Sequence, residues 1–178
     1  DNQTYETVKI GAQTWFAENL NFETENSWCY KDSAKYCEKY GRLYTYEAAL
    51  EACPQGWHLP SDAEWQTMEK ELGMPVTETD KPGYRGAGVG LKLKSTEGWE
   101  AFKNRQGNNN SGFNALPGGY MNSKDSNFHY AGRLGSWWTS SKVGNDKAWS
   151  RYLSFNYGKV FRKDYSINDG SSVRCVKD

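Results

Sequence analysis

The stretch Ala52-Cys53-Pro54-Gln55-Gly56-Trp57-His58-Leu59-Pro60-Ser61-Asp62-Ala63-Glu64-Trp65 ends one helix and starts another, and its reading decides the rest of the chain. Ser61-Asp62-Ala63-Glu64 has capping-box spacing, in which the serine hydroxyl and the glutamate carboxylate satisfy backbone N–H groups that a helix start leaves unpaired. Trp65, Met68 and Leu72 then recur at helical spacing as a buried stripe, and Gly73 closes the helix. On the other side, Thr45 serves as an N-cap, and Tyr46, Ala49, Leu50 and Cys53 fall at i, i+3, i+4 and i+7 until Pro54 stops the pattern. This spacing predicts a short helix that turns Cys53 inward.

Outward from this pair of helices the character changes in both directions. Residues 5–20 read as a hairpin about Gly11, with Tyr5, Val8 and Ile10 on one arm and Thr14, Trp15 and Phe16 on the other. Residues 80–118 are rich in glycine and carry the run Asn108-Asn109-Asn110, so a long ordered loop is expected, anchored at Leu91-Lys92-Leu93 and Trp99–Phe102. Residues 136–141, 148–155, 159–163 and 172–177 alternate in polarity between Gly, Asn or Asp turns, the pattern of a late antiparallel sheet. The order of hairpin, two helices, glycine-rich loops and strands argues one α+β domain over residues 1–178 rather than a βαβ repeat.

Composition narrows the function classes. The chain has 178 residues, with 22 Lys+Arg against 22 Asp+Glu, so no long-range field recruits nucleic acid or an anionic bilayer. Leu, Ile, Val and Phe number only 26, but 8 Trp, 12 Tyr and 7 Phe replace the missing aliphatic volume, and an aromatic core is expected. No run approaches the roughly 20 apolar residues of a bilayer-spanning helix. Direct membrane insertion is not expected. The opening Asp1-Asn2-Gln3-Thr4 has no signal-sequence character, as in a mature or trimmed soluble segment.

Four cysteines, at positions 29, 37, 53 and 175, include no Cys-x-x-Cys pair, which argues against a zinc knuckle or a thioredoxin-like motif. They allow three pairings. The shortest closure joins Cys29 to Cys37 and leaves Cys53 with Cys175, a bridge that removes about 4 to 5 kcal/mol of unfolded-state entropy in the chain-entropy model. Disulfides place the chain in an oxidising compartment, against the rival readings of free buried thiols or of catalytic or metal-binding thiols.

Five stretches in order, Val8–Leu20, Tyr40–Tyr46, Ala52–Trp65, Gly112–Tyr120 and Ser172–Asp178, resemble the Fibrobacter succinogenes major paralogous domain over nearly the whole chain. That family is in turn similar to the C-type lectin-like fold, shared with formylglycine-generating enzymes. In such folds a cysteine on the first helix bonds to one near the last strand, and Cys53 and Cys175 match that pattern. The resemblance implies a bacterial, exported protein, secreted or at the cell surface, of a kind often anchored as a lipoprotein.

Catalytic chemistry finds little support. A formylglycine-generating oxidase needs two reactive thiols that can hold copper, and here the cysteines read as staples. Gly-x-Ser-x-Gly is absent and the histidines are His58 and His129, the first of which reads as structural. Asp62 and Glu64 are accounted for by helix capping, so no carboxylate pair is left for glycoside hydrolysis. Gly86, Gly88 and Gly90 lack a phosphate-loop ending. Glu-Pro-Asn, Gln-Pro-Asp and Trp-Asn-Asp, through which C-type lectins hold sugar on calcium, are missing. Asn145-Asp146 and Asn168-Asp169-Gly170 still allow a structural calcium, and no other cofactor is expected.

The remaining signal is aromatic and amide density. Tyr120, Asn122, Asp125, Asn127, Phe128, His129 and Tyr130 cluster in sequence, and Trp149, Arg151 and Tyr157 flank the late strands. Rings accept the apolar face of a pyranose while amides, carboxylates and guanidinium fix its hydroxyls. Tyr120, Asn122, Asp125, Asn127, His129, Trp149, Arg151 and Tyr157 are the candidate ligand residues. Trp149 and Arg151 share a strand face with Leu153 and Phe155, which points them toward core. The expected function is recognition without catalysis: binding of a polysaccharide or glycoconjugate, as in an adhesin or surface lipoprotein. The alternative is a protein–protein or structural module in which the same loops hold a protein partner.

Overall fold

The structure, a computed structural model, describes residues 3–178, so Asp1 and Asn2 of the opening tetrad lie outside the described residues. In chain order the elements are β1 (Thr7–Ile10), β2 (Gln13–Phe16), β3 (Ser27–Trp28), α1 (Ala34–Tyr40), β4 (Leu43–Tyr44), α2 (Tyr46–Ala52), β5 (Trp57–His58), α3 (Asp62–Glu71), β6 (Gly83–Arg85), α4 (Val89–Leu93), β7 (Tyr120–Asn122), β8 (Asn127–His129), β9 (Leu134–Val143), β10 (Lys147–Ser154), β11 (Val160–Ser166) and β12 (Val176–Lys177). The class is α+β. Antiparallel sheets are ordered β1-β2-β12-β5 and β6-β11-β10-β9, with two-stranded pairs β3-β4 and β7-β8.

Local rules place the central helices. Thr45 Oγ1 accepts from Ala48 N to start α2, and α3 opens on a complete Ser61/Glu64 capping box. Tyr46, Ala49 and Ala52 bury the inner side of α2, whereas Leu50, expected there, is exposed. The helix is only seven residues long, and its small alanines let it lie close to Trp138 without a wide apolar stripe. Four α-helices are described where the sequence suggested two. The additional ones are α1, seven residues in which only Cys37 and Tyr40 are buried, and α4, whose five residues are too few to produce a legible period.

The last strand closes the first hairpin. Val176 of β12 lies opposite Trp15 of β2 on one side and His58 of β5 on the other. Disulfides join Cys53 to Cys175 and Cys29 to Cys37, so all four cysteines are paired. His58 adds a polar clasp at the same seam, with Nδ1 2.6 Å from Asp178 Oδ1 and Nε2 2.8 Å from Glu64 Oε1. Among the described residues no helix is long and apolar enough to cross a membrane.

Aromatic rings fill the core. Trp15 meets Trp65 edge-on at 5.2 Å, and Phe113 stands 5.9 Å and 5.5 Å from the two, with Trp137 completing the group. Trp137 and Trp138 point to opposite faces of β9, and both are fully buried, in different apolar clusters. Between α3 and the large sheet lies a buried ion network. Glu69 accepts from Arg85 Nη1 at 2.6 Å and from Arg151 Nε at 2.7 Å, while Asp62 accepts from Arg151 Nη1 at 2.6 Å and from Arg162 Nη2 at 2.8 Å. Burial opposes ionisation of Asp62, but the two guanidiniums outweigh it and bring its pKa down to about 2. The sequence assigned Asp62 to helix capping; its carboxylate instead ties α3 to β10 and β11.

Two outcomes follow from this architecture. Glu69→Leu leaves Arg85 without a carboxylate in the interior and Arg151 with Asp62 alone, and is expected to cost about 3–5 kcal/mol of unfolding free energy in urea titration. His58 gains its partners only on folding: burial lowers its pKa, but Asp178 and Glu64 raise it above the ordinary 6.5. Its stabilisation is therefore full below about pH 6.5 and fades as pH climbs through the raised value. The Tm of wild type should fall relative to that of His58→Gln as pH rises from 6 to 8, and parallel curves would remove the clasp from the account.

Candidate ligand-binding site

The β7–β8 hairpin gathers five of the eight candidate residues. Its register sets Tyr120 opposite His129 and Asn122 opposite Asn127, so these four side chains share one face, and Met121 and Phe128 pair on the other. Phe128 therefore packs inward, its ring 5.5 Å from that of the buried Tyr30. Asp125, in the turn, holds the face together: its carboxylate lies 3.1 Å from His129 Nε2 and accepts from Asn127 N at 3.0 Å. Asn127 N is the foremost cause of the lowered Asp125 pKa, with His129 adding to it.

Tyr130 extends this face. Its ring centroid is 6.1 Å from that of Tyr120 and 5.8 Å from that of His129, and half of the residue is exposed. Its φ is +63°, in the left-handed region that costs a Cβ-bearing residue about 1–2 kcal/mol. The fold enforces this. The Tyr130 carbonyl accepts from Arg133 N and Leu134 N, both at 2.9 Å. Beneath it Gly119 approaches so closely that a Cβ there would fall 2.4 Å from the His129 carbonyl oxygen.

Facing Tyr130 is an aromatic group on the outer face of the large sheet. Tyr84 stacks on Tyr157 at 4.2 Å, and Tyr152 stacks on Phe161 at 4.4 Å. Between the two groups opens a cleft of about 240 Å³, lined by Tyr84, Tyr130, Arg133, Asn156 and Tyr157 among others. Burial raises the pKa of Tyr84, Tyr152, Tyr120 and Tyr165, so these phenols stay neutral hydrogen-bonding groups at ordinary pH. Arg133 lies over the Phe155 ring at 4.6 Å and pairs with Glu100 at 3.2 Å.

The wall carrying Tyr157 is pinned from within. Lys94 is buried, and its Nζ donates to the carbonyls of Arg105, Ser154 and Tyr157 at 2.6, 3.1 and 3.1 Å. Burial brings its pKa down to about 8, with Arg105 adding repulsion. A lysine in a loop-like stretch thus orders the turn that presents the ring.

Of the eight candidates Tyr157 lines the cleft, five stand on the adjoining β7–β8 hairpin outside its lining, and two belong to neither. Arg151 is fully enclosed in the ion network, and Trp149 lies on the same α3-facing side of β10, with the Arg162 guanidinium 3.5 Å above its ring. Alternation along β10 sends both away from Tyr152. Conversely, Tyr84, Arg133, Tyr152 and Phe161 were missed. Tyr84 sits in the glycine-rich stretch and is recruited only by the β6–β11 pairing, which opposes it to Phe161. Asp169, in one of the oxygen-rich turns, accepts from Ser123 N and Oγ at 2.9 and 2.7 Å. Among the described residues no group of three or more His, Cys, Asp or Glu side chains is placed to hold a metal ion.

Frame and cleft together define an α+β domain stapled by two disulfides, with an aromatic and amide surface on one flank. Residues 8–177 match the model of the Fibrobacter succinogenes major domain, and the chain belongs to that family. Searches of curated proteins and of solved structures gave no match.

The strain at Tyr130 is testable apart from any ligand. Tyr130→Gly relieves the backbone and gives up mainly exposed ring surface. Its unfolding free energy should equal that of wild type or exceed it by up to about 1 kcal/mol, measured by urea titration; a clear loss would mean that the ring is a packing element.

Proposed function

We propose that the chain is a non-catalytic recognition domain of an exported bacterial protein and binds a polysaccharide or glycoconjugate in the cleft between Tyr130 and the Tyr84–Tyr157 pair. The observation that carries this reading is Tyr130, held at φ +63° with its ring half exposed beside Tyr120 and His129. The fold imposes this backbone conformation, but a glycine would adopt it without the cost; a half-exposed tyrosine kept there is strain of the kind that concentrates at functional sites. Rings on both walls suit the apolar face of a pyranose, and Arg133 and Asn156 in the lining can serve its hydroxyls.

The two disulfides support an oxidising, extracellular or cell-surface setting. The bridge from the end of α2 to the last strand, together with the pairing of β12 onto the first hairpin, supports a C-type lectin-like arrangement. With every cysteine paired, an oxidase mechanism would first need a bridge to open, which favours binding over catalysis.

A glycan and plant-polysaccharide array, read with and without calcium, tests the proposal. Wild type is expected to bind a defined subset of glycans, and Tyr157→Ala and Tyr130→Gly to lose roughly tenfold in affinity, the worth of one stacked ring at about 1.4 kcal/mol, while both remain folded. Absence of any glycan binding would replace this reading with a protein-docking one.

A further inference from the structure

A second cavity, of about 300 Å³, opens directly beside the cleft and differs from it in charge. It is lined by Lys31, Lys35 and Lys39 together with Tyr30, Tyr36 and Tyr40, and no carboxylate lines it. Among the described residues none of the three lysines takes part in an ion pair, although the chain as a whole is neutral. Lys35 and Lys39 stand one turn apart on α1. Neighbouring acids line other cavities: Asp32 one with Trp28 and Met121, and Glu38, together with Glu18, one that Lys39 and Tyr40 also border from their other side.

The lysines are held in place. The Cys29–Cys37 disulfide brackets the segment that carries Lys31 and Lys35. Inside that bracket Lys31 and Asp32 have φ of +55° and +53°, two successive left-handed residues without glycine. Lys31 lines the cavity with Lys35 and Lys39 of α1, and Asp32 lines a different one. The tyrosines supply walls, and the Lys39 ammonium lies 5.1 Å from the centre of the Tyr40 ring.

The two cavities are continuous along the chain. Tyr130 lines the first and Ala131 the second, and Gly119 underlies both, since a Cβ there would also meet the Tyr30 ring at 2.8 Å. A polymer lying over Tyr130 would place its neighbouring unit above the lysines. Resting on the carbohydrate reading given above, we infer that this cavity receives the anionic group, carboxylate or sulfate, of an acidic polysaccharide whose adjoining unit stacks in the aromatic cleft. Three lysines around one hollow whose lining holds no acid recruit and orient such a group, and the tyrosine walls exclude part of the solvent that would screen it.

The test compares wild type, Lys31→Gln/Lys35→Gln/Lys39→Gln, and a control of equal charge change at exposed lysines elsewhere, Lys9→Gln/Lys70→Gln/Lys81→Gln. Each is titrated against polygalacturonate and its methyl-esterified form, and against dextran sulfate and dextran. The expected result is at least tenfold tighter binding of one acidic polymer than of its neutral counterpart, weakened by salt, lost in the cluster variant and kept within threefold in the control. The polymer pair that shows the preference tells carboxylate from sulfate. Equal affinity for acidic and neutral polymers, or equal losses in both triple variants, overturns the inference while leaving the recognition reading in place. Failure of wild type to bind any of the four polymers also overturns the inference, whereas the recognition reading stands or falls with the glycan array.

Discussion

The guanidinium of Arg174 is buried without any carboxylate against it, and the order of the irregular half of the chain depends on how it is solvated. Taking a charge out of water costs several kcal/mol, and here the return comes from oriented oxygens. Arg174 donates to Asn19 Oδ1 at 2.8 Å, to the carbonyls of Phe16 and Asn114, each at 2.9 Å, and to that of Phe113, with its guanidinium 4.4 Å from the centre of the Phe113 ring. Those partners belong to the first hairpin, the connection after it and the long glycine-rich loop, and Arg174 itself adjoins the disulfide-bonded Cys175. Burial lowers its pKa to about 9, which still leaves the group charged at neutral pH. One cation therefore gathers segments that no sheet or helix would bring together.

Lys94 repeats the device further along the chain, gathering the carbonyls of Arg105, Ser154 and Tyr157, and the Asp62–Glu69–Arg network does the same for α3 and the large sheet. A chain with few aliphatic residues cannot order 25 or so loop residues by apolar burial, because glycine and asparagine have little to bury. Their backbone carbonyls must nonetheless be satisfied once enclosed. Buried cations answer both needs. They accept the cost of desolvation and convert irregular backbone into a fixed surface, and the cleft is one product of that fixing.

Much of the frame was legible because its signals are local. Ser61/Glu64 capping, Thr45 as N-cap, the hairpin at Gly11 and the alternation of the late strands each rest on a few neighbouring residues. The disulfide pairing was legible from loop length and from the family resemblance. What escaped was set by tertiary register. Arg151 stayed among the candidate ligand residues although its strand face pointed toward core, because guanidinium is rarely enclosed, and only the approach of α3 carrying Glu69 makes its burial tolerable. Tyr84 was hidden in a stretch whose glycines read as loop, and Leu50 looked inward because a seven-residue helix offers too few turns to fix its inner side. The hairpin residues Tyr120, Asn122, Asp125, Asn127 and His129 were found together because a tight hairpin keeps sequence neighbours on one face.

The division of labour between these groups bears on how such a surface can recognise anything selectively. Preorganisation raises affinity by removing the entropy that a mobile site would lose on binding. Here the ordering groups, Lys94, Gly119, Asp125 and the Cys29–Cys37 bridge, lie beneath or beside the exposed rings and lysines. The exposed side chains can therefore be exchanged without disturbing what holds their backbone. Tyr130 departs from that separation, since its own backbone carries strain while its ring faces solvent. It is the point where the cost of the frame and the chemistry of the surface fall on the same residue, and so where backbone strain and ring exposure can be measured against each other.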